Sequence, residues 1–551
     1  MSASPTSTST STSTATGPAT NAGSPRRSAG ADPGGRFERL RSNPWLTLIS
    51  VALGVVMVGL DGTVVSIANP FIARDLGASL ESLQWVTNAY LLALAVLLVV
   101  GGKLGDRFGR KKVFLTGIVG FAAASLLVGL SGTIGEVIVW RALQGVFGAL
   151  LMPNTLALLR SVFPAEKLNS AIGIWGASSA ISIAAGPIIG GLLVENVSWE
   201  SVFYLNVPVG VIALGVGLAV VRESKDERPG QRFDPLGLVL LSGGLFALVF
   251  GVVKAQTWGW SSPSTFGFLA GAVVLLALFA LAESRVAQPL LPLSLFRNRS
   301  IALGSALVMV NFFAMFGVLF FVTLYLQNVH GYSAVGAGVR LLPLTVVFMI
   351  GSPVGASLTT RFGPRVPIGI GLFFTSAALF GLTLLDTDSS YLHLWPSLLA
   401  LGVGVSFVAV ASAEAIVGNA PIELSGVAGG LQSTAMQLGG AIGTSVLGSV
   451  LTSRISGVLV DKLVGAGAPE RTATQLTGAA ETISQGVVPP TPPGTSARVG
   501  EALATGSHAA FMSGLHVALL VGAVVTLLGA CAAPLIRSSG RPTEGGAFAA
   551  G

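Results

Sequence analysis

Asp61 is the only charged residue between positions 45 and 68, and Arg141 is the only basic one between 134 and 156. Both stretches are apolar and about 20 residues long, the length that spans a hydrocarbon core of about 30 Å. A charged side chain inside such a core costs about 3 kcal/mol or more, and by default it marks an ion or proton path. At about 1.5 Å of rise per residue, the two charges fall at similar depth. The chemistry this allows is a charge pair or a shared proton relay, in which a carboxyl loads and unloads a proton. Two plainer readings stand beside it: a snorkelling or structurally paired acid, and an arginine bonded to backbone carbonyls. Glu414 ends a later apolar run near one membrane face, where solvation explains it better than a second coupling role.

Two glycine-bearing segments point to movement. Gly102-Lys-Leu-Gly105-Asp106-Arg107-Phe-Gly109-Arg110-Lys111-Lys112 follows the second apolar run. Gly102 and Gly105 permit close helix approach, and Asp106 can accept from a helix N-terminus or pair with an arginine. With Arg107, Gly109 and Arg110 they read as a conformational latch on one membrane face. A positively charged stop would explain Lys111 and Lys112, but not the placement of the glycines and the aspartate. Gly355 to Val366 repeats this segment with its Arg-Phe-Gly core intact and Thr360 in the place of the aspartate, so the latch is expected on one side only. In the fifth run stands Gly186-Pro187-Ile-Ile-Gly190-Gly191. Its proline removes a backbone donor and its glycines let helices meet, giving a pliable segment that can seal or open a leak.

What is missing narrows the chemistry. A phosphate-binding GxxxxGK[ST] loop would need glycine where Leu97 stands ahead of Gly102-Lys103, so ATP is not the expected direct energy source. Four histidines, no HExxH and no nucleophile–base–acid set leave no catalytic residue to nominate. The lone Cys531 excludes an internal disulfide and a cysteine metal site. No cofactor, no metal and no enzyme activity are expected. The net charge of +7 comes from basic residues scattered between apolar runs, so nucleic acid is not an expected partner.

The elements that must position these groups follow from composition. With 52% hydrophobic and 10% charged residues, against roughly 25% charged in soluble domains, the chain belongs in a membrane. Apolar runs predict fourteen spans: 45–68, 83–105, 113–131, 134–156, 170–193, 201–221, 235–254, 266–284, 301–326, 335–358, 366–385, 392–414, 424–451 and 511–533. Residues 1–44 are a Ser/Thr/Pro/Gly-rich tail, expected to be disordered and not a secretory signal. Lys and Arg concentrate in that tail, in 103–112 and in 222–232, which places those segments and both termini in the cytoplasm. Trp85, Trp199, Trp258, Trp260 and Trp395 fall at the opposite ends, where amphipathic indoles sit. The expected fold is an all-α polytopic membrane protein with two parallel six-helix halves, 45–221 and 301–533. Segment 222–300 carries two inserted helices, 452–510 is an outer loop, and 534–551 is a cytoplasmic tail. A translocation site between the halves follows.

These residues resemble a known family. The 102–112 segment is similar to the loop signature of the major facilitator superfamily, and six spans, two extra and six more resemble its fourteen-span drug:proton antiporters of the EmrB/QacA type. Leu60-Asp61-Gly-Thr63-Val-Val-Ser66-Ile-Ala-Asn69-Pro70 is similar to their first-helix motif, with Ser66 and Asn69 as departures. Trp140-Arg141-Ala-Leu-Gln144-Gly145 resembles the buried-arginine motif, and 186–191 the antiporter-associated motif. Residues 198–210 resemble an outer-loop pattern, with Glu200 where arginine is usual. The resemblance implies a proton-coupled exporter of amphipathic drugs or antibiotics in the cytoplasmic membrane, surrounded by lipid; the sequence leaves the oligomeric state open, with a monomer favoured. It singles out no substrate-contacting residue. A metabolite importer on the same scaffold, or a membrane sensor that has lost transport, are the alternatives.

Overall fold

The computed structural model describes residues 43–78, 80–224, 234–286, 289–490 and 496–536. The expected tails, up to residue 42 and from 537 onward, lie outside the described residues, as does most of 222–232. The long helices are α1 (Pro44–Leu76), α2 (Leu80–Phe108), α3 (Arg110–Gly129), α4 (Ile134–Val162), α5 (Ala165–Asn196), α6 (Asn206–Val220) and α7 (Pro235–Trp258). The second series is α8 (Pro263–Glu283), α9 (Arg299–Leu324), α10 (Ala334–Phe362), α11 (Arg365–Leu382), α12 (Tyr391–Ala413), α13 (Ser425–Gly465) and α14 (Ala497–Ala532). Among the described residues there is no strand. Thirteen helices among the described residues are long and apolar enough to cross a membrane. The remaining expected span, 170–193, falls in α5, several of whose side chains lie outside the described residues.

Local sequence sets the helix ends. A capping box opens α4, with Thr133 and Glu136 each accepting from the other's backbone N–H. Asp234 and Ser262 cap α7 and α8, each followed by proline. Gly109 (φ 109°) and Gly363 (φ 74°), the matching glycines of the two Arg-Phe-Gly segments, hold backbone conformations that side chains rarely adopt, and so turn α2 into α3 and α10 into α11.

The neighbour pattern repeats with an offset of eight helices. α1 packs on α4, α5 and α6 as α9 packs on α12, α13 and α14; α2 packs on α4 as α10 packs on α12; α3 packs on α4 and α6 as α11 packs on α12 and α14. The two sets meet where α2 lies along α13 and α5 along α10. The α7–α8 hairpin leans on α2 and α13 through α7, while α8 is left largely uncovered, with Phe266, Val273, Val274 and Leu281 exposed. A helix that is apolar all round and uncovered by protein faces hydrocarbon.

Segment 452–510 is not a loop in its flanks. α13 runs on to Gly465 and α14 begins at Ala497, with short helices Glu470–Gln475 and Ala480–Ser484 between them. Leu451, Ile455, Leu459 and Leu463 recur every fourth residue on α13 and are buried, and Gly506 and Gly514 let α14 pack against this stripe. Those four residues carry the helical period past the expected end of the span. Trp199 also departs from the expected belt: it is buried edge-on against Phe203.

Candidate functional site

Asp61 on α1 is 2% exposed and Arg141 on α4 is 1% exposed. Arg141 Nη1 donates to Asp61 Oδ2 at 2.5 Å and to Gln144 Oε1 at 2.6 Å, and its Nε donates to the Val86 carbonyl of α2 at 3.1 Å. Asp61 Oδ1 accepts from Gln144 Nε2 at 2.9 Å and Asn206 Nδ2 at 3.0 Å. Ser125 of α3 closes the ring: its Oγ accepts from both amides, at 3.2 and 2.9 Å, and donates to the Phe203 carbonyl at 2.9 Å. The guanidinium lies over the Tyr90 ring, 4.2 Å from its centroid. Five helices thus converge on one carboxylate, and Arg141 makes both the charge pair and the backbone contact that the sequence left as alternatives.

The donor set defines what this arrangement can do. Three N–H groups from three residues aim at the two oxygens of Asp61, an arrangement matched to an ionised carboxylate. Oδ2 is committed to the Arg141 donor for as long as the pair holds. Tyr90 Oη, by contrast, is buried with no hydrogen-bond partner among the described residues. Tyr90→Phe should therefore leave stability unchanged or slightly raised, whereas Tyr90→Ala removes the ring under the guanidinium and should cost about 3 kcal/mol or more. Thermal unfolding of the two variants in detergent checks this ordering.

At one end of the bundle, Asp106 and Arg110 are both buried and form an ion pair at 2.9 Å. The two oxygens of Asp106 also accept from Gly426 N and Val427 N, each at 3.1 Å, in the first turn of α13. A carboxylate there meets unpaired backbone N–H groups and the positive end of the helix dipole. Gly102 lies against the Gly426 backbone, and Gly105 against the Asn154 side chain, so closely that no Cβ fits at either position. Arg107 lies over the Phe108 ring. Sequence reasoning missed Glu223 and Ser224, which follow α6: Ser224 accepts from Arg110 at 2.9 Å and Glu223 accepts from Lys111 N at 3.0 Å.

The model of the Major Facilitator Superfamily matches residues 51–444. The chain belongs to this superfamily. It is 50% identical to the tetracenomycin C resistance and export protein of Streptomyces glaucescens, over 86% of this chain and 88% of that one. It is 34% identical to the multidrug efflux pump LfrA of Mycolicibacterium smegmatis, over 82% of this chain and 94% of the pump. Among solved structures, the proton:xylose symporter XylE superposes with a TM-score of 0.57 at 12% identity, covering 90% of this chain and 96% of that one, a likeness of fold.

Within this major facilitator scaffold the α5 motif touches both sides of the bundle. Gly186 lies against Thr63 of α1, two residues from Asp61, and a Cβ on Gly191 would stand 2.8 Å from Val335 of α10. Gly190 is buried, and the side chains of Pro187, Ser66 and Asn69 lie outside the described residues. The second Arg-Phe-Gly segment makes a cross-bundle contact of its own. Thr360 accepts a hydrogen bond from Asn169 of α5 at 2.8 Å, so the second copy also bridges the two sets of helices, through a neutral contact. Glu414 is half-buried in the turn after α12, within electrostatic reach of Arg160 of α4, and is not part of the Asp61 network. Gln144 and Asn206 stood in recognisable motifs without an assigned role; amides in apolar helices were the signal for them.

Proposed function

We propose that this chain exports a small amphipathic antibiotic or drug across the cytoplasmic membrane in exchange for protons, and so confers resistance. The observation that carries the reading is the buried Asp61 carboxylate, held by Arg141, Gln144 and Asn206 inside a bundle whose α2 and α13 meet at Asp106. A transporter needs a group that changes charge and an element with two arrangements, and these are the two candidates. Asp61 with Arg141 couples the proton. Gly102, Gly105, Asp106, Arg107, Gly109 and Arg110 form the latch, and Gly186, Pro187, Gly190 and Gly191 seal the leak path. The halves are 45–221 and 301–533 with 222–300 inserted, and the Asp106 end, with both termini, faces the cytoplasm. The printed functions of the two relatives, tetracenomycin C export and multidrug efflux, support the substrate class.

Everted membrane vesicles test the reading. With the lumen acidified, ethidium or tetracenomycin C should accumulate inside against its gradient, and an uncoupler should release it. Uptake only when the outside is acidified would mean an importer, and no proton-dependent flux of either compound would defeat the proposal.

A further inference from the structure

α2 and α13 touch along their lower halves, reckoned from the Asp106 end. Gly102 meets Gly426, and a Cβ on Gly430 would stand 2.7 Å from the Leu98 carbonyl. Beyond Ala95 the two helices part, and the wedge between them is walled by α9 and by α7 of the inserted hairpin, leaving a cavity of about 170 Å³ open to its surroundings. Its walls are largely apolar and carry three aromatic rings. Trp85 and Phe250 stand 5.8 Å apart at 32° on one side, and Phe316 stands on the other, over Gly440. Lys254 places its ammonium over the Trp85 ring, 5.4 Å from the centroid, and Asn88 and Gln437 add amides. The hairpin is pinned in this place by a hydrogen bond from Trp260 Nε1 to Ser449 Oγ of α13.

We propose that this wedge is a binding site for a flat aromatic molecule carrying an anionic group, a carboxylate or phenolate, with Lys254 as the recognition cation. Ring faces and a small-residue wall suit a planar polycycle, and a lysine among them supplies the charge complement that a lipid tail would not require. The inserted helices then have a role in substrate recognition, because α7 brings the ammonium and one of the aromatic walls. The site also depends on state. It exists where α2 and α13 diverge while their lower halves are latched, so it is the place from which substrate leaves when the Asp106 end is closed. This assignment rests on the export reading for its biological direction, but not for its chemistry.

The full-length protein in nanodiscs is tested by equilibrium dialysis with 2-naphthoate and the uncharged 2-naphthamide, with empty nanodiscs subtracted. The wild type should prefer the carboxylate by about tenfold or more, the worth of one charge-assisted hydrogen bond. Lys254→Met should erase the preference, Lys254→Arg should keep it, and Trp85→Leu should weaken both ligands alike. Retention of the preference by Lys254→Arg shows that the site folds when position 254 is changed. Equal binding of carboxylate and amide by the wild type would mean an apolar cleft that lipid fills, and an unchanged preference in Lys254→Met would place the cation elsewhere; either overturns the site. If vesicle export fails while the Lys254-dependent preference persists, the export reading falls and the site stands.

Discussion

Asp61→Asn is expected to abolish uphill, proton-driven export while leaving downhill flux of the same compound measurable in vesicles. The amide cannot be titrated, so the cycle loses the group that charges and discharges. Asparagine is also not a silent replacement here. All three partners of Asp61 present N–H donors, so an amide nitrogen in the place of Oδ2 faces Arg141 donor to donor. Losing that charge-assisted bond should cost about 1.5–3 kcal/mol in detergent stability. Removing Arg141 alone strands the buried carboxylate and should be worse, about 3–5 kcal/mol. The double replacement should be milder than the sum, with a coupling of about 0.5–3 kcal/mol in a thermal-unfolding cycle. Sustained uphill transport by Asp61→Asn would remove this carboxyl from the coupling role.

Gly102→Val should cut export more than tenfold without changing which compounds are recognised. The new Cβ would meet the backbone of Gly426, where α13 begins, and backbone cannot step aside as a flexible side chain can. The closed arrangement of the Asp106 end is therefore penalised selectively, and each 1.4 kcal/mol of penalty shifts the balance of the two states tenfold. Asp106→Asn should act in the same direction more weakly, since the amide keeps one acceptor but gives up the charge that pairs with Arg110 and the α13 N-terminus. Spin-label distances across α2 and α13 should lengthen in both variants. A changed spectrum of exported compounds at normal turnover would contradict the latch.

The sequence by itself determined that the chain is a membrane-embedded helical bundle, because 20-residue apolar runs leave the backbone no other way to satisfy its hydrogen bonds in hydrocarbon. It also determined which residues merit attention. A charge in an apolar run is conspicuous at any resolution, and so are glycines spaced three apart before an aspartate. Depth along a helix is readable because rise per residue is constant, which brought Asp61 and Arg141 to one level. Azimuth is not readable in the same way, because the face a residue presents depends on how neighbouring helices pack. Only the tertiary structure decided that Gln144 and Asn206 turn toward the same carboxylate and that Ser125 joins the two amides. Asp106 reaches α13 and Thr360 reaches Asn169 across more than 190 positions of chain, contacts that no local spacing encodes. Trp85 is expected in a membrane belt; the packing of α7 into the gap between α2 and α13 makes it and Lys254 cavity walls. Periodicity fixes what a helix is, while the closeness of backbones at Gly102 and Gly430 fixes which helices meet and where they part.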